Sequence, residues 1–138
     1  MLKTPLLHPE ILAALASSGH GARVLVADGN YPFSTGAAPA ARRVYLNFAP
    51  GLLTVVNVLQ ILVAVMPVEA ALLMGTPDGS EPEAHRDYRA ILGAEVPATI
   101  CTRHEFYGAA RGADTCLVIA TGETRRFANI LLTIGVVR

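Results

Sequence analysis

The stretch that most constrains how this chain can fold is Leu52–Met66. It is almost wholly apolar, but Thr54, Asn57 and Gln60 interrupt it. It is also shorter than the ~20 residues that a membrane-spanning helix needs. A segment of that kind belongs inside a protein core, as a buried helix. Pro50-Gly51 opens it and Pro67 stops it, because proline cannot continue a helix. Directly beyond Pro67, Val68–Met74 reads as a strand.

The same alternation runs along the whole chain. Pro9 suits a first helical position and Gly19 a position just past a helix end. Between them Ile11, Leu12, Leu15 and Ala16 recur at helical spacing, so a helix is expected near 9–18, capped by His8. Ala22–Ala27 reads as a short strand centred on Val24, Leu25 and Val26. Gly29–Ala41 is polar and aperiodic, and non-repetitive loops of that length are often functional. Val44–Phe48 is a second strand candidate. Ser80 and Glu83 have capping-box spacing, which places a helix over 81–92, ending at Gly93. Pro97–Cys101 reads as a short strand and Phe106–Arg111 as a short helix. Thr115–Ala120 and Ile130–Val137 are strand-like. No repeat or linker interrupts the 138 residues, so one layered α/β domain is expected over 1–138.

Composition narrows the function classes. The net charge is formally zero, which gives no electrostatic footprint for nucleic acid. Charged residues make up 16% of the chain, below the usual quarter. So few charges on a small domain imply that other subunits cover part of its surface. Cys101 and Cys116 lie in apolar contexts without a C-x-x-C motif, and read as buried reduced thiols. The first residues lack a basic region followed by an apolar one, so no signal peptide is expected and the protein reads as cytoplasmic. No partnership with a membrane is expected.

The chemistry-bearing candidates are few. Of the four histidines, His8 reads as a helix cap and His85 as part of a solvated helix face beside Arg86, Asp87 and Arg89. His104 is ambiguous. No pair has the spacing of a helical metal site and no Cys/His cluster exists, so neither a metal nor a cofactor is expected. His20 stands between Gly19 and Gly21, ahead of the first strand, and a histidine can move protons near neutral pH. On spacing alone an incidental exposed histidine at a helix end explains it better. Asp28 stands at the far end of the same strand, in Asp28-Gly29-Asn30-Tyr31-Pro32. Ordinary turn chemistry accounts for Asp28 and Asn30 equally well.

Taken together, these segments resemble the fucose mutarotase / ribose pyranase family. Leu2-Lys3, Pro9-Glu10-Ile11-Leu12 and Gly19-His20-Gly21 are similar to its opening. Ala27–Pro32 resembles its aspartate loop. Arg103-His104-Glu105-Phe106-Tyr107-Gly108-Ala109-Ala110 resembles the Arg-x-x-Phe-Tyr-x-x-Ala of the fucose branch. Thr121-Gly122-Glu123, with Ala128–Leu132 and Gly135-Val136, resembles its C-terminal signature. The likeness covers essentially the whole chain in order.

The resemblance implies a three-layer α/β subunit with a mixed sheet flanked by helices. It implies a ring-forming homo-oligomer, a decamer of two rings, with sites between neighbouring subunits. The implied reaction interconverts the anomers of a free monosaccharide, with L-fucose first among candidates and no cofactor. His20 would be the acid/base, Asp28 a sugar-hydroxyl ligand, Arg103 the fucose-branch arginine, and Asn129 the asparagine of the C-terminal motif. Phe127 would face the sugar, where the family usually has tyrosine. Two further departures are Ala22, in place of the acidic residue that commonly follows His-Gly, and Gly29, in place of a residue with a side chain. The missing phenol keeps open a non-catalytic monosaccharide-binding ring protein, and a D-ribose pyranase is a third reading. Tyr31, Phe106 and Tyr107 offer flat surfaces to a sugar ring, though Phe106 reads first as packing.

Overall fold

The computed structural model describes residues 1–138. In chain order the elements are α1 (Pro9–Ala16), β1 (Arg23–Ala27), β2 (Arg42–Tyr45), α2 (Val55–Val65), β3 (Val68–Met74), α3 (Glu83–Leu92), β4 (Ala98–Cys101), α4 (Arg103–Ala110), β5 (Thr115–Ala120) and β6 (Ile130–Ile134). The six strands form one sheet in the order β2-β5-β1-β6-β3-β4. β2, β5 and β1 pair in parallel, as do β3 and β4. β6 lies between β1 and β3, antiparallel to both, so five strands run one way and β6 alone runs back.

Side-chain alternation along the strands builds two cores. Val24 and Val26 of β1, Leu117 and Ile119 of β5, and Ile130 and Leu132 of β6 point to one face. There they meet Ile11 and Ala14 of α1, Val55, Leu59 and Leu62 of α2, and Ala84 and Tyr88 of α3. Leu25, Ala27, Val118 and Leu131 point to the other face and meet Phe106 and Ala110 of α4, with Tyr31, Ala37 and Ala38 of the long loop. The result is the expected mixed sheet between two layers. The fourth helix and the loop share one layer, because the loop's small alanines pack where a helix would otherwise lie.

Several local expectations need correction. The apolar helix begins at Val55, and Thr54 and Asn57 form its capping box. Pro50–Leu53 is instead a turn held by distant backbone. Gly51 N–H donates to the Gly122 carbonyl at 2.7 Å, and Gly122 N–H donates to the Leu53 carbonyl at 3.0 Å. Leu53 there takes a left-handed φ of 54°. Ser80 and Glu83 do not form a capping box: Pro82 precedes α3 without a side-chain cap, and Ser80 bonds back to Asp78. α4 starts three residues earlier than expected, because Thr102 and Glu105 cap it reciprocally. His8 does cap α1, accepting from Ile11 N–H at 3.4 Å. Cys101 and Cys116 are free but half-buried rather than fully buried.

The largest correction concerns His85. It is not on a solvated face but is completely buried. α3 turns Ala84, His85 and Tyr88 inward together. Neither ring nitrogen of His85 has a hydrogen-bond partner. Burial holds its imidazole below the ordinary histidine range, so the ring is neutral at pH 7. No helix in the chain is long and apolar enough to cross a membrane.

Candidate functional site

Because β6 runs against the other five strands, its first residues lie at the edge where β1, β3, β4 and β5 end. That edge is where open α/β sheets place ligands, at a point where connections diverge. A cavity of about 370 Å³ opens there. Its size is at the low end for small-molecule sites. Asp28 follows β1, Met74 ends β3, Arg103 begins α4, and Phe127 and Asn129 precede β6; all five line it. Asn30, Tyr31, Tyr107 and Arg126 complete the wall.

Asp28 is 2% exposed, and backbone donors hold both its oxygens. Oδ1 accepts from Asn30 N–H at 3.0 Å and Oδ2 from Ala128 N–H at 3.1 Å. The first bond closes the turn that the Asp-Gly-Asn sequence suggested. The second ties the loop after β1 to the turn before β6. Burial raises the carboxyl above the usual aspartate value, against the lowering effect of these bonds.

Asn129 completes the tie in the opposite direction. Its Oδ1 accepts from Asp28 N–H at 2.7 Å, and its Nδ2 points to the Met74 sulfur at 3.7 Å. The Ala128 carbonyl in turn accepts the buried Tyr88 hydroxyl at 2.7 Å, so α3 props the turn from behind. Phe127 sits in this turn with φ 56°, a left-handed conformation uncommon for a bulky residue. Both groups of the next residue, the Ala128 N–H and carbonyl, are clamped, which holds that geometry in place.

Aromatic packing sets the opposite wall. Tyr31 meets Tyr107 edge-on, with ring centroids 5.4 Å apart. The Tyr31 hydroxyl donates to the Gly36 carbonyl at 2.6 Å, which leaves its ring edge for the cavity. Phe106 is fully buried beneath them as packing. The loop that carries Tyr31 is held by Arg43, whose guanidinium donates to the Ala38 and Ala41 carbonyls at 2.8 Å and to that of Phe33 at 3.1 Å.

A buried acid lies just outside the cavity. Glu123 is 3% exposed, and Arg125 grips both its oxygens at 3.1 Å while also reaching Asp87 of α3 at 2.9 Å. Burial alone would raise the Glu123 carboxyl, but the Arg125 contacts outweigh it and leave it lowered.

Of the residues singled out from sequence, Asp28, Arg103, Phe127 and Asn129 therefore converge on one cavity. His20 lies elsewhere in the subunit, before β1, while Asp28 follows it; five strand residues at ~3.3 Å each separate the two ends by about 16 Å. There His20 Nε2 meets Glu69 Oε2 at 2.8 Å, with 59% of its side chain exposed. It borders a largely apolar hollow formed by Leu12, Leu15, Pro67, Ile134 and Val137. Met74 and Arg126 went unnoticed in the sequence. Arg126 adjoins the aromatic-small-Asn motif, a signal that could have found it, whereas Met74 reaches the site only through the sheet order. No group of histidine, cysteine or acidic side chains is arranged to hold a metal ion.

Comparison with known proteins places this geometry. Residues 1–137 match the model of the RbsD / FucU transport protein family. The structure of Bacillus subtilis RbsD complexed with D-ribose is similar over 100% of both chains, with TM-score 0.87 and 25% identity. The fucose mutarotase from Streptococcus pneumoniae in complex with L-fucose shares the fold, with TM-score 0.81 and 24% identity over 100% of both chains. FucU from Bifidobacterium longum matches with TM-score 0.78 and 28% identity over 95% of each chain. With the family model spanning nearly every residue, the chain belongs to the RbsD / FucU family.

Proposed function

We propose that this protein interconverts the anomers of a free monosaccharide by ring opening and reclosure. The observation that carries the proposal is the convergence of Asp28, Asn129, Phe127 and Arg103 on one cavity at the strand ends. Family membership and the D-ribose complex of a relative 25% identical support a sugar as occupant. The Arg103-x-x-Phe106-Tyr107 segment favours a fucose-type sugar over ribose, with L-fucose the first candidate.

The chemistry requires few groups. The anomeric hydroxyl loses its proton, the bond from the anomeric carbon to the ring oxygen breaks, and the ring oxygen gains a proton. The open aldehyde rotates and closes on its other face, in the reverse steps. No electrons leave the sugar and no covalent bond to the protein forms. General acid–base help contributes roughly 10²–10⁴-fold, which suffices for a reaction that already proceeds in water. Asp28 accepts sugar hydroxyls on the lone pairs its backbone donors leave free, and Arg103 donates in a fixed fork. Tyr31, Tyr107 and Phe127 cover the apolar face of the ring.

The acid/base is His20 of a neighbouring subunit. His20 is exposed and distant from its own cavity, so it serves a site only by projecting into another copy. Surface composition favours such a neighbour. Phe48 is 89% exposed and Val137 82%, on segments at opposite ends of the sheet. A head-to-tail contact between two such ends closes into a ring, and two rings make the decamer. The protein works on free sugar in the cytoplasm.

The test is saturation-transfer NMR between anomers of L-fucose, D-ribose and related sugars, with light scattering on the same sample. Exchange in the assembled protein, lost in a folded His20→Ala variant, is the expected result. His20→Ala should barely change stability, because an exposed ion pair contributes about 0–1 kcal/mol. Exchange that survives in His20→Ala assigns the proton elsewhere, and a clean monomer mass dismantles the shared site. Phe127 supports a second reading, a sugar-binding protein without turnover, which binding without exchange would reveal.

A further inference from the structure

We infer that His85 is a positioning residue of the sugar site: with a sugar on Asp28, its ring N–H closes on the Phe127 carbonyl and anchors the carboxylate through that one peptide. The inference rests on the proposed reading of the cavity as a monosaccharide site. His85 lies directly behind the cavity and does not line it. It is fully buried on α3. The backbone carbonyls that act on its ring are those of Phe127 and Met74, both residues of the cavity wall.

As core packing alone, this imidazole is a poor choice. Neither nitrogen has a hydrogen-bond partner, which costs stability that an apolar side chain would not. The charged groups that act on it, Glu81 and Arg89, have opposite effects, and they pair with each other rather than with the ring. A neutral imidazole carries one N–H, so it serves one carbonyl at a time.

The geometry of the turn selects Phe127. No peptide bond in the chain is cis, and in a trans peptide the N–H and C=O point in opposite directions. The Ala128 N–H points to Asp28 Oδ2 at 3.1 Å, so the Phe127 carbonyl of the same peptide points away from Asp28, to the side where His85 lies. Three residues further along α3, Tyr88 already donates to the next carbonyl, that of Ala128, at 2.7 Å. One helix thus presents donors to two successive carbonyls of the turn. In this structure the His85 ring stands short of its bond. Sugar hydroxyls on Asp28 compete with the backbone donors that hold its oxygens. A donor on the Phe127 carbonyl polarises that peptide and strengthens its N–H, so the carboxylate keeps its anchor while it takes the sugar.

The test compares His85→Leu, which removes the donor, with His85→Gln and His85→Asn, which place an amide N–H where Nε2 and Nδ1 stand. L-fucose and D-ribose are titrated into each assembled protein by NMR, with Tm measured alongside. We expect His85→Leu to weaken binding of the sugar that binds the parent by about two- to tenfold. Its exchange rate at saturation should hold and its Tm should equal or exceed the parent's, because two unpaired buried nitrogens are gone. One of the two amide variants should restore affinity to within about twofold. In the parent, saturating sugar should shift the His85 ring signals, identified by their absence from any folded variant. Parent-like affinity in a folded His85→Leu protein overturns the inference and leaves sugar exchange intact. Affinity and Tm that fall together in all three variants make His85 packing alone and overturn it, as does a His85 signal that ignores the sugar. Failure of all three variants to fold has the same meaning. A parent that binds neither sugar removes the monosaccharide reading first, and this inference with it.

Discussion

Removing one oxygen atom tests whether the turn before β6 is held from behind. Tyr88→Phe deletes the hydroxyl that donates to the Ala128 carbonyl at 2.7 Å and keeps the ring in a fully buried position. The carbonyl is then left in a dry interior without its donor. An unsatisfied buried acceptor costs about 1–3 kcal/mol. For a chain of 138 residues, unfolding entropy scales to ~0.29 kcal/mol per degree, so Tm should fall by about 3–10 °C. Scanning calorimetry measures this directly. Parent and variant must be compared at equal protein concentration, since assembly makes Tm concentration-dependent. The same deletion slackens the peptide that links Ala128 to Asn129, so sugar affinity should weaken with the ring of Tyr88 still in place. A Tm within 1 °C of the parent would refute the reasoning, because it would mean that the Ala128 carbonyl does not depend on that hydroxyl.

Three further outcomes are expected. Arg43→Ala should cost about 2–4 kcal/mol by releasing the carbonyls of Ala38, Ala41 and Phe33, and should speed hydrogen exchange over residues 31–41; unaltered exchange would show that the loop holds itself. Burial raises the Asp28 carboxyl above its ordinary 3.8, so the stability it contributes is fully present below 3.8 and is lost as pH rises through the folded value. Asp28→Asn should flatten that decline in urea midpoints and weaken sugar binding more than turnover; parallel pH profiles for parent and variant would contradict the burial argument. Phe127→Tyr adds a hydroxyl at the cavity wall and should raise affinity roughly two- to tenfold, the equivalent of ~0.5–1.5 kcal/mol. A folded Phe127→Tyr protein with unchanged affinity and rate would show that the ring does not face the ligand.

Where the sequence was legible, a local rule decided the structure. Val24–Val26 and Val68–Met74 are strands because short apolar runs bracketed by turn residues have few other uses. The Asp28 turn is visible because its carboxylate bonds to Asn30, two residues away. The misreadings share one cause, which is that distant backbone claimed the segment. Pro50–Leu53 is excluded from α2 because Gly122 binds its amide and carbonyl groups. His85 reads as solvated because charged residues adjoin it, yet it lies three residues before Tyr88 and seven before Leu92, on the inward stripe of α3. The site shows the same division. Asp28, Arg103, Phe127 and Asn129 were found through motifs. Met74 joins them only because β3 ends beside β6.

The reversed strand also bears on how the chain acquires its fold. β1, β2 and β5 form one parallel group and β3 with β4 another, and no hydrogen-bonded pairing joins the two groups except through β6. β6 is the last strand in chain order, so during synthesis the sheet remains two separate fragments until its centre emerges. Both fragments then expose unpaired edges, which are prone to wrong partners. Closure is a late event joining residues far apart in sequence, a topology that folds slowly. The same insertion delivers Asn129 to Asp28, so the candidate site comes together only in the step that joins the two halves of the sheet.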